Sequence, residues 1–182
     1  PLIVHVAGID QARRYAADWT DRADSLARRF WPGPLTIVLP RTPDIPDVVT
    51  GGGPTVGLRV PAPIVARRLI ERVGLPLAAP SANRSNRISP TRAEHVLADL
   101  DGLVHLILDS GPADVGLEST VVDLTSELAK VLRPGPIEPS DLAEALSGAS
   151  ILSGASRTHT GPHASPGMQA VHYAPRTPAC RI

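Results

Sequence analysis

Leu77-Ala78-Ala79-Pro80-Ser81-Ala82-Asn83 is the stretch on which the reading of this chain turns. Its apolar residues are expected to form a short buried strand, which Pro80 stops because it lacks the backbone donor that a strand interior needs. Ser81 and Asn83 follow at once, with Arg84 and Arg87 close behind. A strand ending on small polar side chains and guanidinium groups offers donors and positive charge at a sheet edge, where open α/β sheets bind ligands. The same residues can equally form an Asx-type turn with no ligand.

Working outward, residues 56–60 read as a strand that carries Arg59 in its middle. A guanidinium is almost never buried alone, so Arg59 needs a carboxylate, from the protein or from a ligand. Gly51-Gly52-Gly53-Pro54-Thr55 precedes it, and three glycines could cradle a phosphate or simply make a loop. Residues 2–6 read as a buried strand in which His5 is either a hydrogen-bonded core residue or a ligand contact. Helices are expected over residues 10–17, 20–31, 63–73 and 141–146, and strands over 35–39, 103–108 and 121–124. Thr91 and Glu94 have capping-box spacing for a helix reaching about Leu100. From Ser147 onward small residues, Gly and Pro dominate, which predicts a linker. His159 and His163 are four apart in that non-helical stretch and do not make a zinc site.

Composition bounds the function. The 18 Lys and Arg balance 18 Asp and Glu, and aromatics are 3% of 182 residues, which argues against a nucleic-acid platform or a base-stacking surface. Lys130 is the only lysine, so the positive charge favours forked, bidentate contacts to anions. Cys180 stands alone, which excludes an intrachain disulfide framework and suggests a reducing, cytoplasmic setting. No apolar run approaches membrane-spanning length, so no membrane partner is expected. Ser119 lies outside any Gly-x-Ser-x-Gly elbow, so no residue is assigned as a nucleophile.

Seven separated motifs then stand in one order. They are Pro1-Leu2-Ile3-Val4-His5, Trp31-Pro32-Gly33-Pro34-Leu35-Thr36, Val56-Gly57-Leu58-Arg59-Val60-Pro61, Ala79-Pro80-Ser81-Ala82-Asn83, Ser89-Pro90-Thr91, Gly116-Leu117-Glu118-Ser119-Thr120 and Leu132-Arg133-Pro134-Gly135. This order resembles the YrdC-like threonylcarbamoyl-AMP synthases over nearly the whole chain. Ser165-Pro166-Gly167-Met168 with His172-Tyr173-Ala174-Pro175 looks like the interdomain linker of the two-domain form. The resemblance implies a twisted, open, mixed α/β sheet with flanking helices around a concave cavity. It places a catalytic domain at residues 1–147, with a linker and the start of a further domain at 148–182. It also implies formation of threonylcarbamoyl-AMP and pyrophosphate from L-threonine, bicarbonate and ATP, for tRNA modification, with Mg2+ accompanying the nucleotide.

By position, His5, Arg59, Ala79 and Ser119 would hold L-threonine. Thr55, Ser81, Asn83, Ser89, Arg133, His172 and Tyr173 would contact ATP, and partners could include tRNA or tRNA-modification proteins. Three departures stand against the family pattern. The family's Lys-x-Arg pair would fall before Pro1, and a second domain would follow the linker, so the chain is expected to be a fragment with little activity of its own. Asn86-Arg87 occupies a place where the family usually has Gly. Two other readings are a carbamoyl-adenylate-forming carbamoyltransferase module and a non-catalytic double-stranded RNA-binding domain.

Overall fold

The computed structural model describes residues 1–153. Seven strands form one sheet in the order β4-β1-β3-β2-β5-β6-β7. They are β1 (Ile3–His5), β2 (Leu35–Pro40), β3 (Thr55–Arg59), β4 (Leu77–Ala79), β5 (Thr120–Asp123), β6 (Ala129–Arg133) and β7 (Ile151–Ser153). Parallel and antiparallel pairings alternate across it, so the sheet is mixed, as expected. The helices are α1 (Ile9–Tyr15), α2 (Asp21–Phe30), α3 (Asp47–Thr50), α4 (Ile64–Val73), α5 (Ala93–Leu100) and α6 (Pro139–Ala145).

Period-two alternation divides the sheet into two unlike faces. Val4, Leu35, Ile37, Leu39, Val56, Leu58 and Val122 point to one face and join the main core with residues of α1, α2 and α6. The best-formed of these helices is α2. The Thr20 side chain caps its first turn by accepting from the Ala23 N–H at 3.2 Å, and Ala23, Leu26 and Ala27 are buried. Its acids lie in the first turn and its arginines in the last, matching the helix dipole.

The opposite face carries the intervening residues. A Cβ built on Gly57 would meet the side chains of Thr36, Ile3 and Val38, which puts all three on this face. Register adds His5, Thr55, Arg59 and Ala79 to it. Only Val38, Val121 and Leu132 form a small apolar cluster apart from the main core. This face is where the polar residues collect.

Four expectations are corrected. Residues 77–79 form the edge strand of the sheet, with Ala78 and Ala79 exposed, because β4 pairs with β1 alone. Residues 103–108 form no strand, and Leu103, Val104, Leu106 and Leu108 are exposed. An apolar run cannot become a strand without an edge to pair with, and no strand of the sheet pairs with that segment. The cap of α5 is Arg92, so Glu94 falls one position short of the third helical residue and no capping box forms. Thr91 instead lies beside His95 Nδ1, at 3.3 Å from its backbone N and 3.4 Å from its hydroxyl. Finally, Ile151–Ser153 pairs in parallel with β6, so the segment read as linker contributes the last strand.

Candidate functional site

The site begins with a cross-strand pair. His5 of β1 and Arg59 of β3 occupy matching positions in a parallel ladder. Arg59 Nε donates to the Gly33 carbonyl at 2.9 Å. The turn that supplies this carbonyl is held by Gly33 N donating to Val60 O at 3.0 Å and by Trp31 Nε1 donating to Leu35 O at 2.8 Å. A Cβ on Gly33 would stand 2.1 Å from the Phe30 carbonyl, so glycine is required there. Among the described residues no carboxylate forms an ion pair with Arg59.

The electrostatics follow from this arrangement. Burial, then the neighbouring Arg133, lower the Arg59 pKa from its ordinary value, and guanidinium nonetheless stays charged. Burial and the Arg59 charge push His5 down to about 4, so its imidazole is neutral at pH 7. Its buried Nδ1 has no hydrogen-bond partner among the described residues. Two cations and a neutral imidazole thus share a poorly solvated face.

Arg133 ends β6 opposite Val121 of β5. Its Nε donates to the Ser119 carbonyl at 3.0 Å and its Nη2 to Ser119 Oγ at 2.9 Å. Ser119 Oγ lies 2.7 Å from Thr36 Oγ1 on β2. All three residues are buried. The turn after Arg133 presses against the Ser119 segment so closely that a Cβ on Gly135 would stand 2.4 Å from Thr120 N.

The stretch after β4 builds the other side. Asn83 Nδ2 donates to the carbonyls of Arg84 at 3.0 Å and Arg87 at 2.9 Å and so ties the loop together, but the Asx-type turn, in which Oδ1 accepts from the backbone N–H two residues on, does not form. Its buried Oδ1 has no partner among the described residues and remains an acceptor. The positive charge expected beside it is already taken. Asp99 of α5 accepts from the Arg84 backbone N–H at 2.9 Å and from Arg87 Nη1, and its carbonyl accepts from Arg84 Nε at 3.0 Å. Ser81 and Ser89 line a cavity of about 610 Å³ together with Ile64, Val96, Asp109 and Glu118. The Ser89 hydroxyl donates to Glu118 Oε1.

His5, Arg59, Arg133 and Ser119 are therefore brought together, and Ser81 and Ser89 share a neighbouring cavity that reaches Glu118, next to Ser119. Thr55 stands at the far end of β3, four residues from Arg59, or about 13 Å along the strand. Ala79 pairs with Ile3, level with Gly57 and so midway between Thr55 and Arg59. The residues expected to gather at a sheet edge are thus spread over a sheet face, because alternate residues of several strands share it. The Gly51–53 loop is tied down locally. Gly51 caps α3 with φ of 65°, and the Gly53 carbonyl accepts from Arg41 Nε at 2.9 Å. His172 and Tyr173 lie outside the described residues.

Four residues that now look important had no assigned role in the linear reading: Gly33, Thr36, Asp99 and Glu118. Gly33, Thr36 and Glu118 all lie inside quoted motifs, and their motif membership is the signal that could have found them. Asp99 carries no such mark.

Comparison with known proteins agrees with the fold. The Sua5/YciO/YrdC family model, described as "Telomere recombination", matches residues 1–135. Threonylcarbamoyl-AMP synthase of Pyrococcus abyssi is 42% identical over 175 residues, covering 96% of this chain and 52% of that protein. The protein of the same name from Bacillus subtilis is 44% identical over 179 residues, covering 98% and 51%. The crystal structure of P. abyssi Sua5 complexed with L-threonine matches with a TM-score of 0.89 and 41% identity, over 96% of this chain and 52% of that one. The chain spans about half the length of the curated relatives it matches. With the family model matching residues 1–135 and the sheet matching that of Sua5, the chain belongs to the Sua5/YciO/YrdC family.

Proposed function

We propose that this chain binds L-threonine and ATP and carries the catalytic part of an L-threonylcarbamoyladenylate synthase. The observation that supports this most is Arg59, a guanidinium withdrawn from water, beside a second arginine, with no acid partner among the described residues. A cation held this way calls for an anion, and an amino-acid carboxylate matches the guanidinium fork. His5, Ala79 and Ser119 complete the threonine end. Thr55, Ser81, Asn83, Ser89 and Arg133 take the nucleotide, with His172 and Tyr173 as further contacts.

The chemistry needs positioning and charge stabilisation rather than a protein nucleophile. The threonine amine must be uncharged to attack. Arg59 and Arg133 disfavour its protonated form, and a neutral His5 adds no competing charge. The amine takes up the one-carbon unit of bicarbonate as a carbamate. A carbamate oxygen then attacks the α-phosphate of ATP, and pyrophosphate leaves. Mg2+ accompanies ATP, liganded chiefly by phosphate oxygens and water. The product then serves tRNA modification in the cytoplasm. Among the described residues no helix is long and apolar enough to cross a membrane.

The test is pyrophosphate release by the protein supplied with L-threonine, bicarbonate and Mg-ATP. Release is expected to be slow for this chain on its own and to require all three. Release that requires carbamoyl phosphate and not threonine overturns the proposal in favour of a carbamoyltransferase module. Salt-sensitive binding of double-stranded RNA with no affinity for ATP overturns it in favour of an RNA-binding domain.

A further inference from the structure

The hydroxyls of Thr36 and Ser119 cannot both be satisfied by what surrounds them. Ser119 Oγ already accepts from Arg133 Nη2 at 2.9 Å. The 2.7 Å contact between the two hydroxyls uses one hydrogen, whichever residue donates it. Two hydroxyls carry two hydrogens, so one remains. Thr36 Oγ1 has no other partner among the described residues, and Thr36 is completely buried, whereas Ser119 retains 2% exposure. A hydroxyl hydrogen left without an acceptor inside the sheet is costly, and the arrangement that avoids this has Thr36 donating to Ser119. Ser119 Oγ then accepts twice, from Thr36 and from Arg133. Its own hydrogen is then the one left without an acceptor among the described residues.

The Thr36 rotamer has a second support. The space beside its methyl is empty only because residue 57 is glycine, where a Cβ would stand 3.1 Å from Thr36 Cγ2. Gly57 therefore makes room for the methyl on the β3 side, and the hydroxyl is turned to the Ser119 side. Two neighbouring strands thus orient one hydroxyl of a third segment.

We propose that Thr36 is a positioning residue that makes Ser119 an obligate hydrogen donor to an oxygen of the bound L-threonine, an inference that rests on the function proposed above. Thr36 does not touch the ligand. It fills the lone pair through which Ser119 would otherwise accept from the ligand, so a ligand donor at that point is rejected and an oxygen acceptor is held.

The experiment is calorimetric titration of the protein with L-threonine, for the unsubstituted form and for Thr36→Val, Thr36→Ser, Ser119→Ala and the Thr36→Val/Ser119→Ala double variant. Thr36→Val, which keeps the shape and removes the hydroxyl, is expected to weaken binding about tenfold, the equivalent of one lost hydrogen bond to a charged group. Thr36→Ser, which keeps the hydroxyl, is expected to restore affinity to within about threefold, a difference below 1 kcal/mol. In the Ser119→Ala background the Thr36 substitution is expected to cost nothing further, a coupling that a merely structural role would not produce. Should Thr36→Val not fold, Thr36→Cys takes its place, with the same loss expected. Unchanged affinity in a folded Thr36→Val or Thr36→Cys protein, or additive losses in the double variant, overturns the role of Thr36 alone. Absence of threonine binding by the unsubstituted protein overturns this inference together with the proposed function. Threonine binding without pyrophosphate release overturns the proposed function and leaves the role of Thr36 supported by its own variants.

Discussion

Asp99 holds Arg84 by both ends: its carboxylate accepts from the Arg84 backbone N–H at 2.9 Å, and its own carbonyl accepts from Arg84 Nε at 3.0 Å. Because the same carboxylate also takes Arg87, one acid on α5 clamps the turn that follows β4. The hydrogen bond from Arg84, with help from Arg87, lowers the Asp99 pKa. Asp99→Asn keeps the shape and loses the charge. It is expected to speed amide hydrogen exchange at Arg84 and Arg87 while β2 and β5 stay protected, and equal exchange in both forms would refute the clamp.

Arg59 is predicted to be a residue that function requires and stability does not. Arg59→Met removes a desolvated charge and its repulsion with Arg133. Replacing a buried charge by an apolar side chain of similar length is often neutral or stabilising. The melting temperature should therefore hold or rise while L-threonine binding is lost. A marked fall in melting temperature would show that Arg59 supports the sheet.

His5 sets an acid limit on stability. Its pKa is about 4 in the folded chain against 6.5 for the unperturbed group, so the unfolded chain binds the proton first. Stability from the neutral imidazole is full above pH 6.5 and is lost as pH falls from there through 4, by up to about 3 kcal/mol. Asp24, held at about 2 chiefly by Arg28, loses its contribution only below 3.8, so the two windows separate. Urea midpoints across pH 4 to 6.5 are expected to fall in the unsubstituted chain and to stay flat in His5→Gln.

Gly135→Ala tests how tightly the Arg133 turn is seated. Its Cβ would meet backbone atoms, Thr120 N at 2.4 Å and Glu118 O at 2.6 Å, which cannot swing away as a side chain could. A loss of about 1–3 kcal/mol is expected from denaturant unfolding, with Ser119 displaced at the same time.

Asn86 holds a φ of 64°, in the left-handed region that favours glycine. Asparagine is among the few non-glycine residues that visit the left-handed region without severe strain. Asn86→Gly is expected to be near neutral, and Asn86→Val to cost about 1–2 kcal/mol in denaturant unfolding.

What the amino-acid order determined by itself was whatever depends on neighbours along the chain. The β-branched run in residues 35–39, the helical spacing within 20–31 and the Pro and Gly punctuation after Trp31 are local, and they place β2 and α2 closely. The family resemblance of the motifs assigned His5, Arg59, Ala79 and Ser119 to one ligand and Arg133 to another, and the sheet sets His5, Arg59, Ser119 and Arg133 side by side. Tertiary structure alone decided the rest. Residues 103–108 have a strand's composition but no strand to pair with, and residues 151–153 have a linker's surroundings but an open edge at β6. Which groups stand beside Arg59, and how Arg84 and Arg87 are held by Asp99, are settled by partners far outside any local window of the chain. Register and packing choose those partners, and neither is written in any short window of sequence.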